Sequence, residues 1–302
     1  MKAVRFHEFG GPETLRFEDV ERPTAGAGQV LVKVAGTSFN PVDASFRAGF
    51  LRQAVPIELP HIPGVDLAGT VLEGEGFAVG EAVIGFLPMT ENGASAEYAL
   101  APAEILAKAP TSIPLADAAA IPVGTLTAWQ AIFEHAGLRA GQRILINGAG
   151  GAVGGYAIQF ARQAGAHVIA TASPRSIDAV RLAGANEIVD YTTTAVSPEP
   201  VNAVLNLTRA DEASMAALVA LIKPGGVLVS TGSPAKEDQD RQVKTISMYV
   251  HSDAKQLTEI VEQVDAGTLR LNIGARYPLA KLAHVHEQSA AGALRGKTVI
   301  EI

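Results

Sequence analysis

The chain of 302 residues is 48% apolar and 18% charged, with a formal net charge of −7, a balance that suits packed globular domains and argues against a disordered or fibrous polymer. No Lys/Arg-rich run is present, so a nucleic-acid footprint is not expected. Cysteine is absent, which excludes disulfides, iron–sulfur clusters, thiol nucleophiles and every thiolate-bound zinc, and leaves only carboxylate or histidine metal sites open.

The length is enough for two domains. The first twenty residues alternate charge and apolarity where a signal peptide would have an apolar core, and no apolar stretch (Ala216 to Ile222 is typical) approaches the roughly 18 residues that cross a bilayer. A soluble, cytoplasmic protein without a membrane or nucleic-acid partner is expected. From the N-terminus, short runs at Ala3–Phe6, Leu15–Glu18, Val30–Val34, Ala68–Leu72, Ala82–Phe86 and Glu97–Leu100 are separated by Gly/Pro turns and predict a mostly antiparallel β domain. From Leu115 the pattern becomes strand, helix, strand, helix: Arg143–Asn147, Val153–Ala164, His167–Thr171, Ser176–Ala183, Glu187–Val189, Ala203–Leu207, Glu212–Ile222 and Val227–Ser230. Such alternation predicts an α/β unit with a parallel sheet, because parallel neighbours need right-handed crossovers. The tail holds one amphipathic helix, Ala254–Asp265, and a closing strand, Thr298–Ile302, which would most simply pair back into the first domain. The expected division is therefore residues 1–114 with 254–302, and 115–253.

The most informative stretch is RILINGAGGAVGGYAIQFARQAGAHVIATAS. An apolar strand runs into Gly148-Ala149-Gly150-Gly151-Ala152-Val153-Gly154, then into a helix. Glycines here permit a left-handed turn and a close backbone approach to a pyrophosphate at the positive end of the helix. The spacing is Gly148-x-x-Gly151-x-x-Gly154, and Val153 breaks the literal G-x-G-x-x-G. An NAD site would place an acid after the second strand to bind the ribose 2′-hydroxyl. This chain has Ser173-Pro174-Arg175-Ser176 there, a guanidinium and hydroxyls suited to a 2′-phosphate, so the cofactor is expected to be NADP(H). The other reading of the same residues is a helix cap followed by a solvated arginine.

With these residues in place, the chain resembles the zinc-free quinone oxidoreductase branch of the medium-chain dehydrogenase/reductase superfamily over nearly its whole length. The matching segments are FNPVDASFRAG, IPGVDLAGTV, GASAEYAL, IPVGTLTAWQAI, the glycine turn, LIKPGGVLVSTGSP and RGKTVIEI. The resemblance implies a GroES-like β-rich catalytic domain plus an inserted Rossmann cofactor domain, with the active site in a cleft between them. It also implies roles: Thr127 near the nicotinamide amide; Gly148 to Gly154 cradling the pyrophosphate; Ser173, Arg175 and Tyr191 around the 2′-phosphate; Asn206 and Leu207 on the ribose side; Gly232 and Ser233 over the nicotinamide; Lys297 near the cofactor. Asn40, Asp43 and Ser45 would be the catalytic residues, and Phe46 and Phe50 would line the substrate cleft. Packing for Tyr191 and turn-capping for Asp43 are the structural alternatives.

Zinc-dependent relatives carry a Cys near Phe39-Asn40 and a His-Glu pair after Gly64, where this chain has Val65-Asp66. No metal is expected, with His61 a turn or core histidine and His284 and His286 on the surface. The positions at which quinone reductases often carry tyrosines are Ser45 and Leu51, so a phenol is missing from the cleft. The expected chemistry is hydride transfer from NADPH to a quinone or an α,β-unsaturated carbonyl, with Asn40 or a backbone N–H stabilising the oxyanion, water or Ser45 supplying the proton, and a weak pH dependence of the rate. The alternatives are an enoyl-thioester reductase and a non-catalytic NADPH-binding or redox-sensing protein. The resemblance further implies a homodimer joined through the strand containing Ile246 to Val250.

Overall fold

Residues 1–196 and 199–302 are described in the computed structural model. They fall into two units, Met1–Val123 with Ser252–Ile302, and Gly124–His251. In the first, β1 (Lys2–Phe6) and β2 (Leu15–Asp19) form an antiparallel hairpin. The organising strand is β3 (Gln29–Phe39), which bonds β4 (Asp66–Gly74) along one edge and β6 (Tyr98–Pro102) along the other. Its alternating Val30, Val32 and Val34 enter a core with Leu67, Val71, Val83 and Leu106, while Lys33 stays outside, the period of two that a half-buried strand requires. Strands β5 (Ala82–Phe86) and β7 (Leu106–Lys108) extend the sheet beyond β4.

Where β3 ends, Asn40-Pro41 starts α1 (Pro41–Arg47), with proline at the first helical position. Helix α2 (Pro122–Trp129) begins at the close of this first stretch and runs into a π-type turn at Gln130–His135, which the sequence did not signal.

The second unit is built on a six-stranded parallel sheet. Its strands are β8 (Arg143–Asn147), β9 (His167–Ala172), β10 (Glu187–Asp190), β11 (Val201–Asn206), β12 (Ile222–Ser230) and β13 (Lys244–Ser247), in the order β10-β9-β8-β11-β12-β13. That is the doubly wound order whose chain reversal lies between the first and fourth strands, the crevice in which such sheets bind ligands. Helices α3 (Ala152–Gln163), α4 (Ile177–Leu182) and α5 (Glu212–Ala220) follow β8, β9 and β11. Strand β8 is apolar because it is central, with Ile144, Leu145 and Ile146 all buried. Buried Gln130 closes this unit on itself: its Nε2 donates to His251 O at 2.9 Å and its Oε1 accepts from His251 N.

The chain then returns to the first unit through α6 (Ala254–Asp265), β14 (Ile273–Pro278), α7 (Leu282–Ala290) and β15 (Lys297–Glu301). In α6, Leu257, Ile260, Val261 and Val264 form one buried stripe, each contributing about 1.5–3 kcal/mol. Strand β15 pairs antiparallel with the last four residues of β3, through Thr298–Phe39 to Glu301–Gly36. That pairing extends β3 well past Val34, its expected end.

Candidate active site

In the second unit the functional residues gather at the carboxyl ends of the parallel strands. Asn147, Asn206 and Ser230 lie side by side in register. Gly148 has φ +84°, a conformation open to glycine at little cost, and its N–H donates to Thr171 Oγ1 at 2.8 Å. Thr171 Oγ1 donates in turn to Asn147 Oδ1; Asn147 Nδ2 donates to Asn206 Oδ1 at 2.9 Å; Asn206 Nδ2 donates to Ser230 Oγ and to Thr208 O. Ser230 Oγ also donates to Ser233 O and accepts from Gly232 N. One chain of hydrogen bonds thus fixes the four loops that leave β8, β9, β11 and β12. Asn206, Gly232 and Ser233 were expected here. Asn147, Thr171, Thr208 and Ser230 were not, although a polar residue ending an apolar run marks Asn147, Thr171 and Ser230.

The glycine turn fits a dinucleotide pyrophosphate on steric grounds. A Cβ on Gly154 would lie 2.5 Å from Ala149 Cα and O, so only glycine lets α3 start this close to the turn. A Cβ on Gly150 would fall 2.5 Å from Ser176 Oγ, which shows how closely the 173–176 loop approaches the turn. By contrast, Gly151 and Gly155 have open space around them. Ser173 N donates to Ser176 Oγ, a local turn that leaves Arg175 on the surface. Tyr191 N donates to Ala172 O, placing Tyr191 beside the same loop, and its side chain is exposed. Ser173, Arg175 and Tyr191 therefore share one corner of the sheet. Leu207 N donates to Asn147 O. Thr127 sits buried in α2.

The first unit holds a buried polar cluster at the corner where β3 meets α1. Asp66, 0% exposed, accepts from Val123 N at 2.7 Å through Oδ1, and from Asn40 Nδ2 (2.7 Å), Lys297 Nζ (2.9 Å) and Ser38 Oγ through Oδ2. Lys297, 3% exposed, also donates to Asn40 Oδ1 and to Phe39 O. The remaining amide hydrogen of Asn40 goes to Ser38 O at 3.3 Å. Both hydrogens and the oxygen of the Asn40 side chain are therefore engaged within the protein. Asp43 Oδ2 accepts from Asn40 N and its Oδ1 from Gly64 N, so it closes the first turn of α1. Burial, foremost, and the nearby Asp66 charge push the Asp43 carboxyl up to about 7. Ser45 Oγ donates to Pro41 O at 3.1 Å. Phe46 is buried and Phe50 is 75% exposed.

The histidines sort differently from expectation. His61 is buried, as a core histidine should be, and burial pushes it down to about 4. His286 was expected on the surface, yet it is 1% exposed. Its Nδ1 accepts from Arg47 Nε at 3.2 Å, its ring packs edge-on against Phe39, and burial with the Arg47 charge lowers it to about 3. His284 points elsewhere, toward Glu287, because residues two apart lie on different helix faces. Among the described residues no cluster of three or more His, Asp or Glu side chains is arranged to hold a metal ion.

The family profile described as zinc-binding dehydrogenase matches residues 183–300, and the alcohol dehydrogenase GroES-like domain matches residues 26–111. A chloroplast envelope quinone oxidoreductase homolog from Arabidopsis thaliana is 32% identical over 100% of this chain and 98% of its own. Among solved structures, the quinone oxidoreductase of Coxiella burnetii superposes with a TM-score of 0.90 at 26% identity, covering 100% and 99% of the two chains. A mycobacterial protein complexed with NADPH gives 0.85 at 25% identity over 100% of both chains, and an NAD-dependent alcohol dehydrogenase gives 0.89 at 27% over 100% of both.

Proposed function

The chain belongs to the quinone oxidoreductase branch of the medium-chain dehydrogenase/reductase superfamily, an oxidoreductase family that binds nicotinamide dinucleotides, and from that premise we propose an NADPH-dependent reductase of quinones or α,β-unsaturated carbonyls. The observation that carries the cofactor choice is the loop after β9. Ser173 and Arg175 stand where an acid would favour NAD, and Gly150 lets this loop approach the pyrophosphate turn. An arginine on a 2′-phosphate is worth roughly 1.5–3 kcal/mol.

Bound there, reduced nicotinamide supplies a hydride from C4 to the electron-poor carbon of the acceptor. Hydride and one proton together convert a quinone to a hydroquinone, or an enone to the saturated ketone. The protein's part is to hold the reactants and exclude water. Gly148 to Gly154 hold the pyrophosphate; Tyr191 flanks the 2′-phosphate; Asn206, Leu207, Gly232, Ser233, Thr127 and Lys297 complete the cofactor side. Phe46 and Phe50 present apolar surface to the acceptor. Because the Asn40 amide is already saturated by Asp66, Lys297 and Ser38, a backbone N–H is the better oxyanion donor, with Asn40 shaping the corner. The proton comes from water or from Ser45, whose hydroxyl is held only by Pro41 O at 3.1 Å.

A homodimer formed by pairing of the edge strand β13 accompanies this reading. Tyr249, two residues past that edge, is 89% exposed. NADPH oxidation across a panel of quinones and enones tests the function. Turnover with several of them is the expected result. Faster turnover with crotonyl-CoA would select an enoyl-thioester reductase, and NADPH binding without any oxidation would select a sensor.

A further inference from the structure

The two carboxylates of the buried corner do different work. Asp66 is bound by four donors and faces Lys297. Asp43 accepts only two N–H groups, but they come from opposite ends of one excursion: Asn40 N, where the chain leaves β3, at 2.8 Å, and Gly64 N, just before it enters β4, at 3.2 Å. Between those ends lie α1 with Ser45 and Phe46, and the exposed Phe50. One side chain therefore ties both ends of the segment placed at the acceptor.

We propose that Asp43 is a positioning residue, a clasp whose ionised carboxylate holds the 40–64 excursion in its closed geometry and whose protonated form releases it. The chemistry is simple. A carboxylate offers both oxygens as acceptors, whereas protonation puts a hydrogen on an oxygen that already faces an N–H donor, so one of the two bonds is lost. Burial and the Asp66 charge bring this titration up to about 7, with the Asn40 N–H, Lys297 and the Gly64 N–H pulling it back. The charged groups around Asp43 are Asp66 from β4, Lys297 from β15 and, along its own helix, Arg47, whose guanidinium turns to His286 Nδ1 and Gly10 O. Backbone bonds from Gly10 to Arg47 and between Phe6 and His61 anchor the middle of the excursion. Release accordingly loosens the first turn of α1 and the Gly64 corner without unfolding the segment.

The consequence for turnover rests on the reductase reading above; the clasp itself does not. Amide hydrogen exchange of the free chain between pH 8 and pH 6, corrected for intrinsic rates, tests it directly. Protection at the Asn40 and Gly64 amides should fall about tenfold, following the titration of one group near pH 7. Asp43→Asn, which mimics the protonated carboxyl, should show the low value at both pH values. No step in the wild type, or the same step in Asp43→Asn, overturns the clasp. In turnover, the acceptor KM should rise by a similar factor from pH 8 to pH 6 while the Kd for NADPH holds. A flat acceptor KM alongside the exchange step overturns the positioning role. An exchange step in a chain that reduces no acceptor sinks the reductase reading and leaves the clasp standing.

Discussion

Replacing Lys297 by methionine keeps most of the stem volume and removes the ammonium from a site that is 3% exposed. Asp66 would keep its donors from Val123, Asn40 and Ser38 but lose the charge 2.9 Å away. Stranding one member of a buried ion pair costs about 3–5 kcal/mol, chiefly because the survivor remains desolvated and uncompensated. Asp66→Asn strands the ammonium instead and should cost a comparable amount. The double variant is neutral on both sides, so its cost should fall short of the sum of the singles by about 2–3 kcal/mol, near the upper end for residues in contact. Urea unfolding followed by circular dichroism measures this, and with slopes of roughly 1–3 kcal/mol per molar the single variants should lose about 2 M in midpoint. Singles that each cost under about 1 kcal/mol, or a double variant equal to their sum, would refute the coupled pair.

Gly154→Ala forces a Cβ against the Ala149 backbone, so it should cost about 1–3 kcal/mol and weaken NADPH binding at least tenfold by calorimetry, roughly the effect of displacing the turn. Gly155→Ala, with open space around it, should gain about 0.4–1 kcal/mol and leave binding unchanged; equal effects at the two positions would contradict the steric reading. Stability should fall on acidification. His61 and His286, at about 4 and about 3 when folded, take up protons below pH 6.5 only on unfolding, while Asp43, at about 7, binds its proton preferentially in the folded state. The unfolded chain therefore gains one net proton from these three, and stability should drop by about 2 kcal/mol between pH 6.5 and pH 5. Asp43→Asn removes the opposing contribution and should roughly double that slope, which chemical denaturation at each pH would read; an unchanged slope would place Asp43 at an ordinary carboxylate value.

Much of the second unit was legible because its signals are local. Strand and helix alternate with matching periods, and the glycine run falls between β8 and α3 as the turn requires. The polar chain linking Asn147, Thr171, Asn206 and Ser230 was only half visible, since the four residues meet through strand register, and sequence spacing carries no register. In the first unit β3 was read too short, because its last residues are strand by virtue of β15, a partner from the far end of the chain. Helix α1 went unread even though Asn40-Pro41-x-Asp43 is a helix-start signature. His286 was misplaced because neighbouring polar residues suggested an exposed helix, and its burial depends on Arg47 and Phe39, both remote in sequence. The expected pH-insensitive rate assumed no titrating group near neutrality. Asp43 supplies one, through burial that no spacing rule shows.

The account depends most on the identity of the dinucleotide, and the ratio of NADH to NADPH dissociation constants, measured by calorimetry for the wild type and for Arg175→Ala, tests it most directly. The wild type should prefer NADPH by roughly 10- to 100-fold, and the variant should lose most of that preference by weakening NADPH alone. Equal or tighter binding of NADH, or a preference that survives the loss of Arg175, would contradict it.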